Sequence, residues 1–318
     1  MMTLKKKLPA PKTLNSFMKQ KTCIVLLGPT AVGKTAHAIS LAQHFNTAII
    51  SADSRQCYKE LNIGVAKPSQ EELRQVHHYF INSNSIQDDV NAKYFETFAL
   101  SKAEEIFKTN NVMLMAGGTG MYINAFCSGL DEIPEIDPAI REDITNNYKI
   151  NGMEWLQQQV SKEDPDYFSQ GEIHNPQRLM RALEVKRSTG KSIKDFQVKK
   201  TSSRPFNIIK VGLMLPQEQL HHNINERVNK MMDAGLLNEV RQLLPFQHLN
   251  ALQTVGYREI FDHLNGKISL ERAVEIIKTN TRQYAKRQLT WLKKDSEIIW
   301  VNSHESTSAI LDIIKSKI

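Results

Sequence analysis

Residues 28–35 read Gly-Pro-Thr-Ala-Val-Gly-Lys-Thr, an ungapped match to the phosphate-loop pattern G-x-x-x-x-G-K-[ST]. The flanks restrict the local fold. Cys23 to Leu27 is an apolar run of strand length, and Ala36, Ile39, Ala42 and Phe45 recur at helical spacing. Strand, glycine loop, helix is the order that lets backbone N–H groups and a helix N-terminus converge on one phosphate. Gly28, Pro29, Thr30, Ala31, Val32, Gly33, Lys34 and Thr35 are therefore the candidate diphosphate- or nucleotide-binding residues. The pattern calls for a polyphosphate; it does not single out ATP.

Further along, strands and helices alternate. Thr47 to Ser51 reads as a second strand, ending in Asp53-Ser-Arg-Gln-Cys-Tyr58. Residues 92–109 have helical periodicity, and Val112 to Met115 reads as a third strand, ending in Gly117-Gly-Thr-Gly120. From about 138 to 200 the pattern is helical only, in segments 138–150, 153–160 and 176–188. A strand returns at 208–214, followed by helices near 217–244, 256–264 and 269–293 and a strand at 298–301. Such alternation implies a parallel α/β sheet with helices on both faces. The expected organisation is a disordered basic tail over 1–20, a P-loop α/β core over 21–130 and 204–318 with C-terminal helices, and a helical insertion over 131–203.

Three loops, 28–35, 53–58 and 117–120, then lie at strand carboxyl ends, where open parallel sheets bind ligands. Asp53 is placed to act as a Mg2+ ligand or as a general base; an Asp at a strand end also serves as a plain turn residue. The third strand ends in glycines, where a motor ATPase would often carry an acid.

Composition sets outer bounds. The 318 residues carry 41 Lys/Arg against 34 Asp/Glu, net +7, and the excess is local. Residues 176–210 hold ten Lys/Arg and two acids, and 282–294 hold five with none. Such patches point to a polyanionic partner or to solvated helix faces. No run of 18 apolar residues is present, so no membrane span is expected. The first 20 residues lack the apolar stretch of a secretory signal. Cys23, Cys57 and Cys127 have no metal spacing and fit free thiols in a reducing compartment. The pairs His77-His78 and His221-His222 lack ligand spacing too.

Taken in order, Gly28–Thr35, Asp53-Ser-Arg-Gln56 with Tyr58, Gly64-x-Ala-Lys-Pro68, Gly117–Gly120 with Tyr122, Pro176-Gln-Arg-Leu-x-Arg-Ala-Leu-Glu184, Val255-Gly-Tyr-Arg258 and Lys286-Arg-Gln-Leu-Thr-Trp-Leu292 resemble the tRNA dimethylallyltransferase family. The match spans residues 22 to 293. Cys57 and Met121 depart from it, both apolar for apolar. The resemblance implies transfer of a dimethylallyl group from dimethylallyl diphosphate to N6 of the adenosine 3′-adjacent to the anticodon. It implies Asp53, Lys34, Thr119 and Arg141 as catalytic residues and Thr35 as a ligand to a Mg2+ cofactor. It implies tRNA contacts from Asp53, Ser54, Arg55, Gln56, Thr119, Arg141, Gln177, Arg178, Leu179, Met180, Arg181, Gly256, Tyr257, Arg258, Lys286, Arg287 and Gln288. A monomeric, cytoplasmic enzyme binding the tRNA anticodon loop is expected.

The residues alone leave other classes open. A P-loop small-molecule or nucleotide kinase shares the first motif and the α/β pattern, and an RNA-stimulated ATPase shares the motif and the basic patches. Trp291, spaced helically with Leu289 and Leu292, is expected in the core rather than stacked on RNA.

Overall fold

The structure is a computed structural model that describes residues 20–197 and 202–318. All but the last residue of the expected basic tail, and residues 198–201 of the basic stretch, lie outside it. The chain forms an α/β unit, up to Cys127 and again from Ser203, and a helical unit, Ser128–Ser202.

The first part of the α/β unit contains β1 (Thr22–Leu27), α1 (Lys34–His44), β2 (Ile49–Ala52), α2 (Gln70–Gln75), β3 (His78–Tyr79), α3 (Ala92–Ile106), β4 (Val112–Gly117) and α4 (Gly120–Ser128). The helical stretch contains α5 (Pro138–Glu163), α6 (Pro165–Gln170), α7 (Pro176–Thr189) and α8 (Ile193–Phe196). The chain then adds β5 (Asn207–Met214), α9 (Gln217–Asp233), α10 (Leu236–Gln242), α11 (Tyr257–Leu264), α12 (Leu270–Leu292), β6 (Ile299–Asn302) and α13 (Thr307–Lys315).

The six strands form one parallel sheet in the order β3-β2-β4-β1-β5-β6. All six residues of β1 are buried, as a central strand covered on both faces requires. Register decides where the site lies. Leu27 pairs with Gly117, and Gly117 pairs with Ala52, so β1, β4 and β2 end level. Their three following loops are thereby brought side by side.

Local sequence explains most boundaries. Asn91 accepts the Lys93 and Tyr94 N–H groups to start α3, Ser69 and Glu72 form a reciprocal cap on α2, and Ser269 caps α12. The expected helix 217–244 is instead two, because Gly235 at φ 98° turns the chain between α9 and α10. The strand β3 and the helices α2 and α13 were not expected; the two-residue β3 carries no periodicity to read, whereas the Ser69–Glu72 box marks α2 in the sequence.

In the helical unit, Ile144, Leu156, Val160, Leu179, Met180 and Leu183 form a core. Of the residues expected to contact RNA, Leu179 and Met180 place their side chains in this core, packed inward from α7. No helix among the described residues is long and apolar enough to cross a membrane.

Candidate active site

The loop after β1 is built by backbone conformation. Gly28 has φ 152°, and a Cβ there would lie 2.9 Å from the Leu213 carbonyl oxygen of the neighbouring strand. Lys34 begins α1 and folds back over the loop, where Nζ donates to the carbonyls of Gly28 (3.0 Å) and Pro29 (2.7 Å). An ammonium has three donors, so one remains for a ligand oxygen. The residue is half-buried, and its ammonium is capped by those two loop carbonyls. Burial, and then the nearby Arg227 charge, push its pKa down to about 7, against the opposing pull of Asp53.

Arg227, on α9, is the basic residue that sequence reasoning missed. Its Nη1 donates to Thr30 Oγ1 at 2.9 Å. Neither Lys34 nor Arg227 belongs to an ion pair among the described residues. Both line a cavity of about 830 Å³ together with Thr35, Asp53, Gln56 and Gln288.

The loop after β2 presents Asp53. Its Oδ1 accepts the N–H groups of Arg55 (2.9 Å) and Gln56 (3.3 Å), a turn that fixes the carboxylate at the cavity wall. Asp53 is thus both a turn residue and a cavity residue. The loop after β4 is stitched to it: Ser54 N–H donates to Thr119 Oγ1 (3.1 Å), and Thr119 N–H donates to the Ala52 carbonyl (3.2 Å). Arg55 and Gln56 organise protein backbone. Arg55 Nη1 donates to the Asn250 and Ala251 carbonyls (3.1 and 3.2 Å), and Gln56 Nε2 to those of Ala66 (3.0 Å) and Val65 (3.3 Å).

Several expected RNA contacts are placed elsewhere. Tyr257 is fully buried, and its hydroxyl donates to Glu239 Oε1 at 2.6 Å. Glu239 also accepts the Ile63 and Gly64 N–H groups (2.7 and 3.0 Å), so the 64–68 and 255–258 motifs meet inside the protein. Gly256 is buried beside them, and only Arg258 of that trio is exposed. Gly256 and Tyr257 thus serve the packing of these two motifs, and their side of the trio is covered by protein. On α12, Lys286 and Arg287 are exposed while Gln288 is turned inward. Its Oε1 accepts the Thr30 N–H (2.9 Å), and its Nε2 donates to the Gly118 carbonyl (2.8 Å). Trp291 is also not where expected: it is exposed, its ring lying against Gly120, because Ala285, Gln288 and Leu292 form the buried face of α12.

Arg141, Gln177, Arg178 and Arg181 belong to the helical unit. Arg141 Nε lies 3.5 Å from Glu184, Arg181 Nη1 lies 3.2 Å from the same carboxylate, and Arg178 pairs with Glu172.

Among the oxygen donors that line the cavity are the Thr35 hydroxyl, beside Lys34, and the Asp53 carboxylate. No group of three or more His, Cys, Asp or Glu suited to a metal occurs among the described residues. This donor set fits Mg2+ only where ligand phosphate oxygens complete the coordination shell.

Comparison with known proteins agrees with this architecture. The family model described as IPP transferase matches residues 56–295, a span that starts three residues after Asp53 and leaves out the anion loop. A tRNA dimethylallyltransferase of Christiangramia forsetii is 45% identical over 295 residues, covering 93% of this chain and 98% of the relative. That of Cytophaga hutchinsonii is 43% identical, covering 94% and 98%. Among solved structures, the full-length tRNA isopentenylpyrophosphate transferase from Bacillus halodurans superposes with a TM-score of 0.68 at 31% identity, covering 93% of this chain and 95% of that one. A eukaryotic dimethylallyltransferase acting on tRNA gives 0.72 at 27% identity, covering 89% and 74%. By the extent of these matches and by the order of its loops, the chain belongs to the tRNA dimethylallyltransferase, or IPP transferase, family.

Proposed function

We propose that the chain transfers the dimethylallyl group of dimethylallyl diphosphate to N6 of the adenosine 3′-adjacent to the anticodon of tRNA, releasing diphosphate and leaving N6-isopentenyladenosine. The observation that carries this reading is one cavity lined by Lys34 and Arg227, which form no ion pair among the described residues, and by the Asp53 carboxylate on a separate loop. A diphosphate fits the first, and a nucleophile that must lose a proton fits the second.

In the reaction the N6 nitrogen forms a bond to the allylic carbon as that carbon's bond to the diphosphate oxygen breaks. The electron pair of the broken bond leaves with diphosphate. One N6 proton passes to Asp53, which acts as the general base because an exocyclic amine is a weak nucleophile while it keeps that proton. Lys34, Arg227 and the loop N–H groups stabilise the charge gathering on the leaving group. Thr119 holds the Asp53 loop in place through Ser54. Thr35 and the diphosphate oxygens would hold Mg2+, whose contribution is to neutralise diphosphate charge.

The acceptor base must leave its stack to reach a carboxylate in a cavity, and the unpaired anticodon loop is the part of tRNA that releases bases most readily. Arg178, Arg181 and Arg141 in the helical unit, and Arg258, Lys286 and Arg287 in the α/β unit, are the exposed or partly exposed cations that support RNA binding. A monomeric, cytoplasmic enzyme completes the reading.

Incubation of the protein with unmodified tRNA and either labelled dimethylallyl diphosphate or labelled ATP tests it. Label from the prenyl donor should enter the RNA. Phosphate transfer from ATP with no prenyl incorporation would instead assign a kinase.

A further inference from the structure

Lys286 and Arg287 are exposed on α12, but the next residue, Gln288, is only 9% exposed. Its carboxamide lies between two loops far apart in sequence, accepting the Thr30 N–H on one side and donating to the Gly118 carbonyl on the other. These partners fix the amide orientation, since an N–H needs an acceptor and a carbonyl needs a donor. A Cβ at position 118 would overlap the Gln288 amide nitrogen, so the glycine there is what admits the bridge. The chain of bonds extends both ways. Arg227 holds the Thr30 hydroxyl, and Thr119, next to Gly118, holds the Ser54 N–H beside Asp53.

From this geometry the structure assigns Gln288 a positioning role, an inference that rests on the function proposed above. Its carboxamide sets the separation between the loop that grips the diphosphate and the loops that carry Asp53. Displacement at the allylic carbon needs the acceptor nitrogen, that carbon and the leaving oxygen at near-attack distance, and a misplacement of ~1 Å costs about 100-fold in rate. Few side chains can serve. Glutamate keeps the acceptor but sets a carboxylate oxygen against the Gly118 carbonyl, and methionine keeps the length but bonds neither partner.

The test compares Gln288→Met and Gln288→Glu with wild type. Single-turnover transfer is measured at saturating dimethylallyl diphosphate and tRNA, beside separate titrations of tRNA and inorganic diphosphate. The rate at saturation should fall about 10- to 100-fold, while tRNA affinity stays within about threefold with an unchanged salt dependence. Weakened tRNA binding with a wild-type rate at saturation overturns the inference and makes Gln288 an RNA contact. An unchanged rate overturns it as well.

Because Gln288 is buried, Gly118→Ala attacks the same bridge from the other side. In that background Gln288→Met should add less than about twofold; losses that multiply in full contradict a shared bridge. Amide exchange at Thr30 gives a readout free of catalysis. It should quicken about 10-fold or more in Gln288→Met, and retained protection refutes the bridge. If the wild type transfers no prenyl group, the proposed function fails, and the Thr30 exchange still decides whether the bridge exists.

Discussion

Lys34 and Arg227 in the α/β unit, and Arg141, Arg178, Arg181 and Arg187 in the helical unit, are the same residue types in opposite surroundings. The first two donate to carbonyls and a hydroxyl and have no ion-pair partner among the described residues. The other four are paired: Arg141 and Arg181 share Glu184, Arg178 holds Glu172, and Arg187 holds Glu163 (2.7 Å) and Asp143 (3.2 Å). Cations without a direct ion pair leave a positive potential that an anion can satisfy, although Asp53 in the same cavity draws on both. Paired cations brace a helix bundle first and must exchange partners to hold RNA phosphates. The basic excess along 176–210 therefore overstates the local field. Carboxylates brought in from elsewhere in the chain offset it, including Glu96 on Arg204 and Asp295 and Glu297 on Lys210.

The largest expected effect lies at the carboxylate opposite the unpaired cations. Asp53→Asn should slow single-turnover transfer about 100- to 10,000-fold, with much smaller losses in tRNA and diphosphate affinity. Repeating the measurement across a Mg2+ titration separates two roles: strong rescue by excess metal would move Asp53 from base to metal ligand.

Next come the cations themselves. Lys34→Ala and Arg227→Ala should each cost about 100- to 1000-fold in transfer rate, through lost leaving-group stabilisation. Arg187→Ala, which removes a paired cation, should leave the rate at saturating substrates within about threefold and lower thermal stability instead. If all three variants lose activity equally, the contrast between paired and unpaired cations carries no functional meaning.

The state of Lys34 predicts a pH dependence. Its pKa of about 7 in the free protein must rise when the ammonium meets diphosphate. The stabilised form is the protonated one, so binding is strongest well below pH 7 and weakens as pH rises through 7, with proton uptake on binding. Between pH 7 and 8 the lysine-dependent part of the affinity should fall about fivefold. Calorimetric titration of diphosphate, compared with Lys34→Met to cancel the ligand's own ionisation, measures it. The same pH slope in both proteins would rule out a shifted lysine.

Smaller effects are expected on the RNA side. Arg178→Ala with Arg181→Ala should lower the slope of log affinity against log salt by about two, one for each phosphate contact. An unchanged slope would make α7 a braced, solvated face. The converse variant sharpens the point. Glu184→Gln frees Arg141 and Arg181 from their shared carboxylate, so tRNA should bind a few-fold tighter, roughly, with a steeper salt slope. Weaker binding would mean that Glu184 orients these arginines for RNA rather than competing with it.

Much of the site was legible because its elements are local. The anion loop lies between an apolar strand and a helix within about 20 consecutive residues; Asp53 and Gly117–Thr119 follow strands whose apolar runs are equally plain. Arg227 and Gln288 were not legible in the same way. They reach Thr30 across 197 and 258 residues of sequence from amphipathic helices in which a polar residue is unremarkable. The resemblance reached Gln288, Tyr257, Leu179 and Met180 as members of motifs, but a motif does not say which of its side chains face outward. On α7 and α12 that is decided by what each helix packs against.

By itself, then, the sequence carried the alternation of the main strands and helices, though not β3, α2, α13 or the break between α9 and α10; it also carried the phosphate loop, the carboxylate that follows β2 and the family, each written in short-range spacing or in motifs kept in order. Tertiary structure alone decided which cations stay unpaired, which motif residues are buried and which amide joins the phosphate loop to the loop after β4. Those depend on sheet register, which brings Leu27, Gly117 and Ala52 level, and on the helices packed beside that edge. A residue's type sets what it can bond; only the packing of distant segments sets what it meets.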